Sequence, residues 1–115
     1  MNLTYTQHDT VGVVHLAESR LDASIAIQFK ETFRSLTADG GDVILDLSAV
    51  EFLDSSGLGA IVAVYKALGD GRHMALAGLQ PPVEKVMILT RMNAVFAIFP
   101  TLEAGLAAAG PTAAE

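Results

Sequence analysis

Cysteine and tryptophan are missing from this 115-residue chain, aromatics make up 6% of it, and basic residues number 7 against 13 acidic. Without cysteine there is no disulfide framework and no thiolate metal site, which suits a reducing compartment. The net charge of −6 removes the basic footprint on which nucleic-acid binding relies and favours encounter with a basic protein. Long apolar runs are lacking too. The most apolar stretch, Gly57 to Val64, falls far short of the roughly 20 residues of a membrane span. The opening MNLTYTQHDT carries no basic region followed by an apolar core, so no secretory signal is read. These absences lead to the expectation of a soluble, cytoplasmic protein without direct nucleic-acid or membrane contact.

What is present is a hydrophobic content of 51%, enough for the core of one domain. Residues 1–109 read as that domain and 110–115, GPTAAE, as a flexible tail. Met1 to His8 alternates weakly, with Leu3 and Tyr5 inward. Val11 to Leu16 is β-branched and follows the turn Asp9-Thr10, so the two runs predict a hairpin. Ile25, Phe29, Phe33 and Leu36 mark one face of a helix over 24–38, with Asp22 or Ser24 as cap and Gly40-Gly41 as stop. Asp42 to Leu47 reads as a buried strand, and Phe52 and Leu53 as anchors of the following loop. Leu58, Ile61, Val62, Tyr65 and Leu68 predict a helix over 56–69. A strand at 73–77, a helix entered through Pro81-Pro82, a strand at 95–99 and a final helix capped by Thr101 complete the order β-β-α-β-α-β-α-β-α. Such alternation predicts a mixed, mostly parallel sheet of about five strands. Sites in open sheets of this kind lie at the carboxyl ends of the strands.

One segment stands at that end and asks for a reason: D-S-S-G-L-G-A-I, Asp54 to Ile61. Two glycines near a helix start are unfavourable, each about 0.8–1.0 kcal/mol worse than Ala inside a helix. A dinucleotide loop does not fit, since Val62 occupies the place of the third glycine, and no P-loop is present. A serine nucleophile lacks the G-x-S-x-G elbow, and nothing places His8, His15 or His73 beside Ser55. The histidines are too widely spaced for a metal site; Asp46 and Asp54 could approach above the sheet. Two readings remain open. Asp54 or Ser55 is a plain cap, with the glycines allowing close packing. Alternatively a serine hydroxyl is modified: the unpaired N–H groups of a helix start tolerate an anion, and the glycines clear the way for a modifying enzyme.

The wider segment I-L-D-L-S-A-V-E-F-L-D-S-S-G-L-G-A-I, Ile44 to Ile61, resembles the STAS domain of bacterial anti-sigma factor antagonists. It carries Asp46-Leu47-Ser48, Phe52, and Asp54 through Gly59 in the family's order. Arg20-Leu21-Asp22 looks like the loop before the first helix. Val83 to Thr90 looks like the third helix, and Phe96 to Leu106 like the last strand and helix. The resemblance implies a sheet with helices packed largely on one side and a partner switch in place of an enzyme, with no cofactor or metal. The unmodified protein is expected to bind an anti-sigma factor that is also a serine kinase. Phosphorylation of Ser55 from ATP is expected to release it, and a serine phosphatase to reset it. The docking residues implied are Asp22, Asp54, Ser55, Ser56, Gly57, Leu58 and Gly59. Ser19 and Arg20 depart from the glycine and acid often found there, and Arg20 brings a positive charge that pairs with the phosphate or alters kinase docking. Arg91 and Met92 also depart, with packing effects only. A STAS subunit of a phosphorelay, secretion system or lipid-transport complex is the alternative, because the signature names the switch and not its output. The acidic surface and lack of a coiled-coil seam favour a monomer.

Overall fold

The computed structural model describes residues 1–109; the tail expected at 110–115 lies outside the described residues. The chain opens with β1 (Leu3–His8) and β2 (Val11–Leu16), paired antiparallel in the register Leu3 to Leu16 through His8 to Val11. Asp9 turns the hairpin at φ 52°, the left-handed conformation that two-residue hairpin loops require. There follow β3 (Arg20–Leu21), α1 (Ala26–Leu36), β4 (Asp42–Asp46), β5 (Phe52–Leu53), α2 (Ser55–Leu68), β6 (Met74–Ala77), α3 (Pro81–Leu89), a 3₁₀ turn (Met92–Ala94), β7 (Ala97–Phe99) and α4 (Leu102–Ala109).

Five strands form the main sheet in the order β1-β2-β4-β6-β7. Only β1 runs against its neighbour; the β2–β4, β4–β6 and β6–β7 pairs are parallel. This is the mixed, mostly parallel sheet that the alternation predicts. Two additional short strands, β3 and β5, pair in parallel as a separate two-stranded sheet, Arg20 opposite Phe52 and Leu21 opposite Leu53.

Alternation along β4 sends Val43 and Leu45 to one face and Ile44 to the other. The first face carries the main core. Val14, Leu16, Val43, Leu45 and Leu76 pack there with Phe29 and Phe33 of α1 and Ile61 and Val64 of α2. The two phenylalanine rings are 5.7 Å apart and fully buried, each worth about 1.5–3 kcal/mol in apolar burial. Val83 and Met87 of α3 join the same core. On the second face, Val11, Ile44 and Ala77 form a small cluster under Phe99 and α4's Leu102 and Leu106. Three helices therefore share one face and α4 alone covers part of the other. None of the helices among the described residues is long and apolar enough to cross a membrane.

Several local expectations need correction. Helix α1 starts at Ala26, not 24, and neither Asp22 nor Ser24 is its cap; Ile25 holds that position without a side-chain bond. Asp22 instead closes the preceding turn: its Oδ1 accepts from the Ser24 N–H and hydroxyl, and its carbonyl accepts from Ile25 N–H. The inward line of α2 is Gly57, Ala60, Ile61, Val64 and Leu68, while Leu58, Val62 and Tyr65 are only partly buried. The helix is apolar nearly all round, so the smallest side chains, not the largest, decide which side comes closest to its neighbours. Thr101 does accept from Ala104 N–H at 3.1 Å, and the two prolines do open α3.

Candidate functional site

Helix α2 begins at the carboxyl end of the sheet, and its start is tied down by Asp54. With extended backbone at the N-cap, Asp54 accepts from Gly57 N–H through Oδ1 at 2.8 Å. Its Oδ2 accepts from Ala23 N–H at 3.2 Å, and its carbonyl from Leu58 N–H at 2.9 Å. One carboxylate thus satisfies a donor of α2 and a donor of the loop after β3, and brings Asp22's loop against the helix start. The cap is made by Asp54 and not by a hydroxyl. Ser55 and Ser56 occupy the first two helical positions and are both exposed.

The two glycines divide the two readings between them. Gly57 is buried, and a Cβ there would run into the carbonyl of Leu21. It serves close approach of α2 to β3, so the idea that it clears a path for a modifying enzyme is corrected. Gly59 is exposed, and a Cβ there would meet nothing within 4 Å; packing does not require it. Leu58 is partly buried. Of the residues expected at a docking surface, Ser55, Ser56 and Gly59 face solvent, Asp22, Asp54 and Leu58 are half-buried, and Gly57 lies beneath.

The β3–β5 pair sets the neighbourhood. Leu21 and Leu53 point inward, while Arg20 and Phe52 point out. Phe52 is 41% exposed, so it is not the core anchor that its apolarity suggests; Leu53 alone has that place. The Arg20 guanidinium lies 4.1 Å over the Phe52 ring, a cation–π geometry. Arg20 Nε also donates to Asp22 Oδ2 at 3.0 Å. The Ser24 hydroxyl, then Arg20, stabilise the ionised form and hold the Asp22 carboxyl below its ordinary range. An aromatic in a two-residue strand has no periodic signature to mark it as outward-facing.

The remaining candidates lie elsewhere. His15 pairs with Asp46 at 2.9 Å across β2 and β4, and Asp46 also accepts from Ser48 N–H. Asp46 therefore answers to local partners. His73 sits beside Asp42 at 3.3 Å. Among the described residues no group of three or more His, Cys, Asp or Glu side chains could hold a metal. A cavity of about 280 Å³ is lined by residues including Asp42, His73, Val95 and α4's Ala108 and Ala109, and by none of the residues around Ser55. Ser55 is exposed and does not line this cavity.

A mixed five-stranded sheet with a side-chain-capped, serine-led helix at its carboxyl end defines a small α/β domain of the kind the motif resembles. The chain belongs to the STAS domain family, whose description matches residues 2–105. An anti-sigma F factor antagonist of Paenibacillus polymyxa is 37% identical over 59 residues, 50% of this chain and 48% of that one, so the match spans about half of that relative. The anti-sigma-F factor antagonist RsfB of Mycobacterium tuberculosis is 26% identical over 107 residues, 92% of this chain and 87% of its own. The crystal structure of an anti-sigma factor antagonist from Mycobacterium paratuberculosis superimposes with a TM-score of 0.85 at 30% identity, covering 93% of this chain and 92% of that one.

Proposed function

We propose that this protein is an anti-sigma factor antagonist controlled by phosphorylation of Ser55. The unmodified protein docks on an anti-sigma factor through the surface around the start of α2, and the sequestered sigma factor is freed for transcription. The observation that carries the reading is the exposed hydroxyl of Ser55 at the first position of a helix whose cap is supplied by a different residue. Ser55 is free to be modified because the helix does not depend on it. The names of the relatives support the choice of an anti-sigma factor as partner.

The anti-sigma factor acts as kinase. The Ser55 oxygen forms a bond to the γ-phosphorus of ATP, the bond to ADP breaks, and the hydroxyl proton leaves to a base of the kinase. The product carries a charge of about −1.5 to −2 next to Asp54 and Asp22. Burying a charge of that size beside two carboxylates, more than one cation can neutralise, is strongly unfavourable in an interface, so the complex parts. The dipole of α2 favours the same charge by roughly 0.3–1 kcal/mol, so the released protein stays folded. A serine phosphatase removes the phosphate and restores binding. The protein itself is a binding module in the cytoplasm, not a catalyst.

Affinity for the cognate anti-sigma factor, measured by calorimetry on Ser55→Asp and Ser55→Ala, tests this. Weakened binding by the first with near-normal binding by the second is expected. Equal affinity of the two variants would remove the electrostatic mechanism.

A further inference from the structure

Arg20 is the cation of this site, and three observations define its state. Its Nε donates to Asp22 Oδ2 at 3.0 Å, its side chain is 59% exposed, and its Cζ lies over the Phe52 ring, 4.1 Å from the centroid. We propose that Arg20 is a phosphate receiver: when Ser55 is phosphorylated, the guanidinium leaves Asp22 and pairs with the phosphate. The proposal rests on the reading of Ser55 as the modified residue and goes beyond it, by assigning a positioning role to a residue where the resemblance leads one to expect an acid.

Reach permits the exchange. Arg20 is opposite Phe52, about 4.8 Å across the strand pair, and Ser55 follows Phe52 by at most about 10–11 Å of chain. Leu21, the next residue, already lies against Gly57 in the first turn of α2. An extended arginine and a phosphoserine span that gap between them.

The balance of interactions favours it as well. A one-point pair at an exposed site is weak. A phosphate offers two or three oxygens of higher charge, and the planar guanidinium fork matches them with two donors at once. Phe52 supports the fork from below, so little ordering is required. Asp22 does not follow, because its Oδ1 is held by Ser24 N–H and hydroxyl. The other charged group at the helix start, Asp54, is held by Gly57 and Ala23. Arg20 alone moves. The consequence is that Asp22 loses its cover, so phosphorylation is read by a partner at two places, the phosphate and a newly bared carboxylate.

The test uses full-length protein with phosphoserine installed at position 55 during translation by an expanded genetic code, so that it does not depend on any kinase choosing Ser55. The second ionisation of the phosphate is followed by ³¹P NMR against pH, in the wild-type background and in Arg20→Gln, and the Arg20 Nε–H resonance is followed in the former. An ionisation constant about two- to fivefold larger with arginine present is expected, the range that an exposed charge pair supports. Arg20→Lys should recover part of the difference, since it keeps the charge and loses the fork. The Nε–H resonance should differ from that of unphosphorylated protein. Equal ionisation constants in wild type and Arg20→Gln, or an unmoved Nε–H resonance, would overturn the proposal. Failure of the cognate kinase to label Ser55 is a separate result and bears on the function reading alone.

Discussion

Helices α2 and α3 both begin after a short strand, β5 and β6 respectively, yet their starts are built from opposite materials. α3 opens on Pro81-Pro82, with Gln80 at the cap making no side-chain bond to the helix. Proline has its φ preset and no N–H to satisfy, so this start needs no acid and offers no acceptor hydroxyl. Gln80 turns its amide away to the Ser48 carbonyl at 2.8 Å. α2 opens on Asp54 with two exposed serines behind it. Its order is imported from a side chain, which leaves the serines idle in the fold. The lesson is that a start preset by proline needs no side-chain cap, whereas a start capped by a carboxylate leaves the hydroxyls behind it without a capping role.

The largest effect expected on this contrast comes from Gly57. Gly57→Ala forces a methyl group into the Leu21 carbonyl, and urea denaturation should show a loss of about 2–3 kcal/mol, the scale of overpacking in a core. Next is the cap. Asp54→Ala strips partners from Gly57 and Ala23 and should lower stability by about 1–2 kcal/mol. Pro81→Ala at the other start should stay within about 0.5 kcal/mol, because Pro81 is exposed and caps nothing. Equal losses at the two starts would erase the distinction between them. Smaller again is Gly59→Ala, which meets open space. It should stabilise by about 0.5–1 kcal/mol, while binding to the proposed anti-sigma partner falls if a bare backbone at this position is needed for docking.

The smallest effect is in acid. Asp22 has a folded-state pKa depressed below its ordinary 3.8. A carboxyl of that kind contributes stability that is fully present above its unfolded value and is lost as pH falls through the folded value. The difference in Tm between wild type and Asp22→Asn should therefore be constant above about pH 5 and shrink below about pH 4. A difference that grows in acid would mean the carboxyl is not held by Ser24 and Arg20 as described.

Much of this architecture is legible in the residues. The hairpin follows from β-branched runs about Asp9-Thr10, and the parallel sheet from alternation after it. The Thr101 cap and the proline-led α3 follow from chemistry that acts within a few residues. What was hidden acts across the chain or through absence. Two-residue strands are too short to show a period, so the β3–β5 pair and the outward Phe52 were invisible. The placement of α4 on the second face depends on Ile44 and Ala77 being free to receive it, a property of the assembled sheet. Gly57 is a lack of side chain, and only the Leu21 backbone against it gives that lack a meaning. At the helix start, the spacing of the motif left a plain cap and a modified hydroxyl side by side. The structure gives the cap to Asp54 and leaves Ser55 exposed.

Ser55, and not its neighbour, is proposed as the phosphate acceptor. Incubating the protein with its cognate anti-sigma kinase and ATP, then mapping the site by mass spectrometry, tests it directly. One phosphate on Ser55 is expected, and none on a Ser55→Ala variant that remains as stable as wild type. Phosphate on Ser56, or labelling that survives in Ser55→Ala, would contradict it.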